Sequence, residues 1–225
     1  DALLELGELE TPTAFAASTN NTAKILFRMA NTEISELRRR HDWQALMKDQ
    51  SISTVTDQEE YDLPADYDRY APDAYNDRSN RRVIHGPLTA SQYQSLKRSD
   101  IESGFYRYFR LRGNKILFYP VPQTTGDNIV FEYVSRFAVE DSGGTEKQYF
   151  TADSDVALID EYLITLGVIW RARRQLGLRY DAEKLRYENE VSKEIARDKG
   201  MGTINLGRPR RKLAHVQLPD GDFGL

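Results

Sequence analysis

The chain lacks cysteine and any long apolar run. Its 225 residues contain no cysteine, which excludes disulfides and thiolate metal sites and suits a cytosolic protein or a particle assembled in the cytosol. No stretch approaches the roughly 18 apolar residues of a transmembrane helix, so no membrane span is expected. The opening residues Asp1–Leu4 have neither a basic region nor a cleavage site, so no secretory signal is expected.

Histidine is scarce, and recognisable catalytic motifs are missing. The three histidines are His41, His85 and His215. They lie in separate segments without the spacing of zinc ligands, which favours structural or solvent-exposed roles. The sequence has no G-x-S-x-G motif, no phosphate-binding glycine loop and no dinucleotide fingerprint. We therefore expect no cofactor, no metal and no catalytic site.

One alternative function rests on carboxylates around a proline-containing turn. Two of these acids could act in glycoside hydrolysis, as in a cell-wall hydrolase. Acids beside Pro64 are also typical turn formers and solvated charges, and we favour that interpretation. The four candidates are Glu59, Glu60, Asp62 and Asp66.

The distribution of charge indicates which kinds of partner the chain can bind. The net charge of −4 argues against a general nucleic-acid binder, although a local basic patch is compatible with it. Such a patch occurs in the Gly- and Pro-rich segment after Gly200, which cannot build a core of its own. It can meet DNA phosphates, as in a DNA-binding module, or an acidic protein surface. Because the chain as a whole is acidic, we favour an acidic protein surface over DNA as the partner of this patch. The patch consists of Arg208, Arg210, Arg211 and Lys212.

The stretch Phe150–Gly177 is the main apolar feature of the chain. We predict a helix that Thr151 or Asp153 caps at its start and Gly177 ends. Its apolar residues cover more than one face, and a surface helix of a monomer usually shows one apolar arc. We therefore expect a second copy of the chain to cover the additional flank. The subunit-interface candidates are Leu158, Tyr162, Val168 and Trp170.

Two more helices and several strands are predicted on either side. Apolar spacing predicts helices at 22–48 and 180–199, and Trp43 reads as a core anchor. Between them, alternation and turn signals predict short strands. Gly113-Asn114 predicts a tight hairpin. The expected β segments are 51–56, 81–85, 105–119 and 128–137, with a short helix at 87–97, and 61–70 is expected to be turns.

These elements predict an α+β fold. The N-terminal long helix and a C-terminal helical hairpin form a helical bundle, with an antiparallel β domain inserted between them. The expected organisation is an N-terminal arm at 1–21, a helical bundle at 22–50 and 151–199, an inserted β domain at 51–150 and an extended C-terminal arm at 200–225.

Three blocks of sequence resemble head-to-tail adaptor proteins of short-tailed bacteriophages. They are YDLPADYDR at Tyr61–Arg69, the segment Gly113–Arg136, and Phe150–Glu183. The resemblance covers about residues 40–185 and leaves both arms outside. It implies a structural protein of the virion neck, assembled in the host cytoplasm, with no catalytic residues to carry over.

The same resemblance implies the partners. Copies would form a homo-oligomeric connector ring, a dodecamer, between the portal protein and the tail nozzle protein. Genomic DNA would pass through the lumen during ejection without sequence-specific binding. The basic cluster Arg208–Lys212 would then contact the portal or a neighbouring subunit.

Overall fold

The computed structural model describes residues 14–18, 20–98 and 106–198. Most of the arm predicted at 1–21 and all of the arm predicted at 200–225 lie outside these ranges. The described part contains four α-helices and two sheets, which confirms the α+β class. The helices are α1 Asn21–Arg40, α2 Ala90–Arg98, α3 Glu161–Gln175 and α4 Asp181–Asp198, with a 3-10 turn at Gln44–Leu46.

The strands between α1 and α3 form a seven-stranded sheet and a small three-stranded sheet, as expected for an inserted β domain. The strand order is β1-β7-β3-β4-β5-β6-β2 in the first and β10-β8-β9 in the second. The strands are β1 Met47–Ser53, β2 Glu60–Asp62, β3 Tyr67–Asp77, β4 Arg82–His85, β5 Arg107–Arg112, β6 Lys115–Tyr119, β7 Asn128–Ser135, β8 Val139–Glu140, β9 Glu146–Lys147 and β10 Val156–Ala157.

The large sheet departs from the predicted antiparallel arrangement at one pair of strands. β4 runs parallel to β5, with Ile84 opposite Arg107. A parallel pair needs a crossover rather than a tight turn, and helix α2 lies in that connection. The neighbouring hairpin is confirmed: Arg112 pairs with Lys115, and Gly113 has the positive φ of +61° that the turn requires.

Strand β3 is the main element that the sequence pattern missed. The segment 61–70 was predicted to be turns, yet an 11-residue strand begins at Tyr67. It runs through Pro72, a residue that cannot donate to a ladder. The pairing of β3 with β7 shifts register between Tyr70 and Tyr75, so the irregularity accommodates the proline.

Helix α3 begins later than predicted. Asp160, rather than Thr151 or Asp153, caps it by accepting from the Tyr162 N–H at 2.9 Å. Asp153 instead accepts from the backbone N–H groups of Phe15 and Ala16. Thr151 and Asp153 therefore stabilise turns and the N-terminal segment at Phe15, while the helix starts eleven residues after Phe150.

Helix α1 also ends earlier than the predicted Lys48, at Arg40, and its C-terminal side is fixed by a tryptophan. The Trp43 side chain is buried, and its Nε1–H donates to the Leu37 carbonyl at 2.8 Å. The core-anchor prediction is confirmed. Among the described residues, no helix is both long enough and apolar enough to cross a membrane.

Two main hydrophobic cores result. One joins the three long helices to the small sheet, with Ile34, Leu163 and Tyr187 fully buried. The other fills the large sheet and is mainly aromatic. In it, Tyr75 stacks on Phe109 and on Phe131 with ring centroids 4.0 and 4.8 Å apart.

A buried carboxylate holds the three long helices together. Glu33 of α1 is completely buried and accepts from Tyr187 Oη of α4 and from Arg171 Nε of α3, the latter at 2.7 Å. Burial raises the pKa of Glu33, and the two hydrogen bonds and the charge of Arg171 counteract only part of that rise. Gly167 of α3 makes room for the carboxylate, because a Cβ there would lie 2.6 Å from Glu33 Oε2.

We expect Gly167→Ala to destabilise the protein by about 1–3 kcal/mol, because the added methyl group overpacks this contact. In a Glu33→Ala background the same substitution should cost little or stabilise, since alanine is the better helix former. Urea unfolding of the four members of this double-mutant cycle measures the coupling. Equal effects of Gly167→Ala in both backgrounds would contradict the close contact.

Candidate functional site

The blocks that carry the resemblance meet where the large sheet joins the helices. Arg69, the last residue of YDLPADYDR, donates through Nη2 to the carbonyls of Arg38 and His41, at 3.0 and 2.8 Å. These carbonyls belong to the C-terminal end of α1, which has no helical donors for them. Arg136, at the end of the second block, donates through Nη2 to the Tyr67 carbonyl at 2.6 Å, and its own backbone carbonyl accepts from Arg38 Nη1 at 2.8 Å. The motif residues therefore fix the sheet to α1.

Asp66, one of the hydrolase candidates, lies inside this junction. It accepts from Lys48 Nζ at 2.9 Å and from the hydroxyls of Tyr133 and Ser135 at 2.8 Å each. Burial raises the pKa of its carboxyl group, but the three donors outweigh burial and the net shift is downward.

The other three hydrolase candidates either form hydrogen bonds and ion pairs within the fold or are exposed to solvent. Glu59 accepts from Tyr93 Oη and from Lys97, which places it between β2 and α2. Burial raises its pKa, and these partners lower it further than burial raises it. Glu60 pairs with Arg112 and Lys115 on the neighbouring strands, and Asp62 is exposed. A glycosidase acid requires a raised pKa, and Glu59 and Asp66 are shifted the other way.

The histidines take different positions. His41 is buried, and its Nε2 lies 3.0 Å from Asp198 Oδ2 at the end of α4. His85 packs near the rings of Tyr106 and Tyr108, and His215 lies outside the described residues. Within the described ranges, no three His, Cys, Asp or Glu side chains are grouped to hold a metal.

The subunit-interface candidates do not share one surface. Val168 and Trp170 are 6% and 7% exposed, and Leu158 is partly buried against the same core. Trp170 packs beside Tyr180 and Tyr187 of its own chain. A second copy was expected because α3 is apolar on more than one flank. That inference is wrong for Val168 and Trp170, because α1 and α4 of the same chain lie against different sides of α3.

Tyr162 is the exposed member of the set, with 45% of its surface accessible. Its hydroxyl accepts from Arg186 Nη2 of α4 at 2.7 Å, and the Arg186 guanidinium lies over its ring. Its place in a subunit interface stays a prediction. The basic candidates Arg208, Arg210, Arg211 and Lys212 lie outside the described residues.

Large exposed apolar side chains gather instead near the turn between α3 and α4. They are Leu176, Leu178 and Leu185, at 62%, 48% and 64% exposed. Periodicity gave no signal for Leu176 and Leu178, which lie in the turn. It placed Leu185 in the apolar stripe of the helix at 180–199, yet the structure leaves that side chain exposed. Such residues are candidates for contact with a partner where they adjoin a larger surface.

Two open grooves border the helices. The basic groove lies between α1 and the end of α3. The acidic groove lies at the other end of α3 and at the end of α4. The basic groove is lined by Ile25, Arg28, Met29, Thr32, Arg171, Arg174 and Gln175, and the acidic groove by Trp43, Ala45, Leu158, Ile159, Asp160, Glu194, Arg197 and Asp198.

We expect Asp66→Asn to destabilise the fold by about 1–3 kcal/mol at pH 7, because Lys48 loses a charged partner. The pKa of Asp66 is lowered in the folded state, so its stabilisation is present above its ordinary value of 3.8 and is lost as the pH falls through the folded value. The gap between variant and parent in urea unfolding should therefore shrink below pH 4. Asp62→Asn, at an exposed position, is the control, and a gap independent of pH would contradict the assignment.

The comparisons with known proteins agree with part of the resemblance. Among curated proteins, none matches the chain significantly. The model of the SU10 adaptor protein family matches residues 5–212. This match is wider than the stretch of about 40–185 that the sequence blocks indicated, and it includes much of both arms and the whole cluster Arg208–Lys212. The chain belongs to the SU10 adaptor protein family.

Proposed function

We propose that the chain is a structural virion protein that forms a ring between the portal protein and the tail nozzle of a short-tailed phage and prolongs the DNA channel. The observation that carries this proposal is the family match over residues 5–212, which makes the chain a phage adaptor-type protein. The ring, its twelve copies and both neighbours rest on the resemblance of the three sequence blocks.

The described surfaces are compatible with a ring. A closed cyclic ring uses two different surfaces of each subunit, one facing each neighbour. The basic groove and the acidic groove lie at opposite ends of α3, and each combines apolar residues with charge. The exposed Leu176 directly follows Gln175 of the basic groove and adds apolar surface beside it. These surfaces replace the buried flank of α3 as the basis for self-association.

The two arms are the proposed links to other components. The proposed domain organisation is an N-terminal arm at 1–21, a helical bundle at 22–50 and 151–199, an inserted β domain at 51–150 and a C-terminal arm at 200–225. The arm from Gly200 to Leu225 carries Arg208–Lys212 and continues from α4, whose last turn borders the acidic groove. In this proposal the arm binds the portal or a neighbouring subunit.

The proposed channel does not hold DNA tightly. A net charge of −4 keeps phosphate attraction weak overall, so DNA can pass during ejection. A hydrolase is the less favoured function, because Glu59, Glu60 and Asp66 are paired with cations in the fold.

Mass measurement tests the proposal directly. The purified chain, alone and mixed with its portal protein, should be measured by native mass spectrometry and by sedimentation. We expect a closed oligomer of one stoichiometry, twelve copies, at least in the mixture. A chain that stays monomeric and never associates with the portal would refute the ring.

Removal of residues 200–225 should abolish stable docking to the portal and leave the fold intact, because the described core ends at Asp198. Co-sedimentation with the portal measures docking, and circular dichroism with thermal unfolding checks the fold. Replacement of Arg208, Arg210, Arg211 and Lys212 by Gln, with Arg39→Gln as an exposed control, isolates the charge. Unchanged docking of the truncated chain would show that the arm is not the link.

A further inference from the structure

The basic groove combines exposed apolar surface with two cations that make no ion pair to any described residue. Arg171 on its wall is already paired with Glu33 and Glu36. Within the described residues, neither Arg28 nor Arg174 makes an ion pair, and both are exposed. Ile25, at 40% exposed, and the partly buried Met29 add apolar surface. The groove has a volume of about 480 Å³.

A segment of this same chain has the complementary chemistry. Residues 1–10, DALLELGELE, lie outside the described ranges. They contain four carboxylates, no Lys or Arg, and four leucines. The carboxylates are Asp1, Glu5, Glu8 and Glu10, and the leucines are Leu3, Leu4, Leu6 and Leu9. Acidic side chains match the two arginines, and leucines match the apolar wall.

The path of the chain brings this segment close to α1. Phe15 and Ala16 are held by Asp153, three residues after Phe150, whose backbone bonds to Asn31 of α1. Asn31 lies three positions after Arg28, so the two residues are neighbours on the helix surface. The anchor at Phe15 therefore leaves the segment near the groove residues of α1.

The length of the segment allows it to reach a neighbouring copy. Only residues 11–13 join Glu10 to Ala14, so Glu10 lies within roughly 14 Å of Ala14, and the nine residues before it can extend roughly 30 Å further. That reach exceeds the thickness of a helix, about 10–12 Å. A closed ring requires a contact between two different surfaces of adjacent copies, and the groove of the neighbour provides one of them.

We propose that the acidic segment Asp1–Glu10 of one copy occupies the basic groove between α1 and α3 of an adjacent copy. Arg28 and Arg174 pair with its carboxylates, and its leucines cover Ile25 and Met29. The contact joins two different surfaces, so it is heterologous and suits a cyclic assembly. The inference rests on the proposed self-association of the chain, and it assigns one half of each subunit contact.

A peptide experiment tests the groove without requiring a ring. The synthetic peptide DALLELGELE is titrated into the full chain, up to about 1 mM, and followed by amide chemical shifts. We expect shifts in Ile25–Thr32 and Arg171–Gln175. The Arg28→Glu/Arg174→Glu variant should bind about tenfold more weakly, and a peptide with Glu5→Lys and Glu8→Lys should restore binding to it.

The control carries the same charge change at two other exposed arginines. Arg39→Glu/Arg98→Glu should bind the peptide as the parent does. Absence of peptide binding, or equal weakening in both double variants, would overturn the inference. If the chain nevertheless forms a closed oligomer with its portal, the ring proposal stands without this contact.

Cross-linking then decides between an adjacent copy and the same copy. The absence of cysteine from the sequence gives a clean background. A Leu6→Cys chain is mixed with a Gln175→Cys chain, under conditions where the protein is assembled, and oxidised. We expect a disulfide between chains, and none when Asn189→Cys on the exposed side of α4 replaces Gln175→Cys. A disulfide within single chains carrying both substitutions, without one between chains, would overturn the assignment to a neighbour, as would the absence of both.

Discussion

The structure depends on one buried carboxylate. Glu33 has no access to water, so its charge must be met by donors from the protein. Those donors, Arg171 and Tyr187, lie 138 and 154 residues further along the chain. Gly167 provides the space because it has no side chain. This single requirement brings α3 and α4 onto α1, and the sheets can therefore be inserted between them in sequence without dividing the helical core.

At the junction with the large sheet a buried carboxylate is again met by donors from the protein, but here the pKa of the carboxyl group falls. Asp66 receives three donors and its pKa falls, while Glu33 is buried more completely and its pKa rises. In both cases the carboxylate connects elements that are distant in sequence. Arg69 extends this junction to α1 by donating hydrogen bonds to the carbonyls at the end of that helix. The acids that resembled a hydrolase site are thus used for cohesion, which accords with the structural role expected of an adaptor family.

Local signals predicted the parts of the fold that local physics determines. The Gly113 hairpin, helix α4 and the burial of Trp43 were correct, because each depends on neighbouring residues. Sequence alone failed where distant contacts decide. Asp153 reads as a helix cap but binds the backbone of Phe15, and Pro72 lies in a strand because register shifts accommodate it. Glu33 reads as a solvent-exposed helix residue, and nothing before α3 indicates its partners.

The breadth of apolar residues on α3 shows why a polar surface is the better guide to assembly here. Val168 and Trp170 appeared to need a second copy, yet α1 and α4 of the same chain cover them. A hydrophobic residue is satisfied by any apolar neighbour, so its presence does not identify which chain supplies that neighbour. A charge is more specific. Arg38, Arg69 and Arg171, which lie near the core, each have a carboxylate partner. Among the described residues, Arg28 and Arg174 make no ion pair and lie beside exposed apolar surface, so their charge makes this groove a better candidate for a contact between copies than the buried flank of α3.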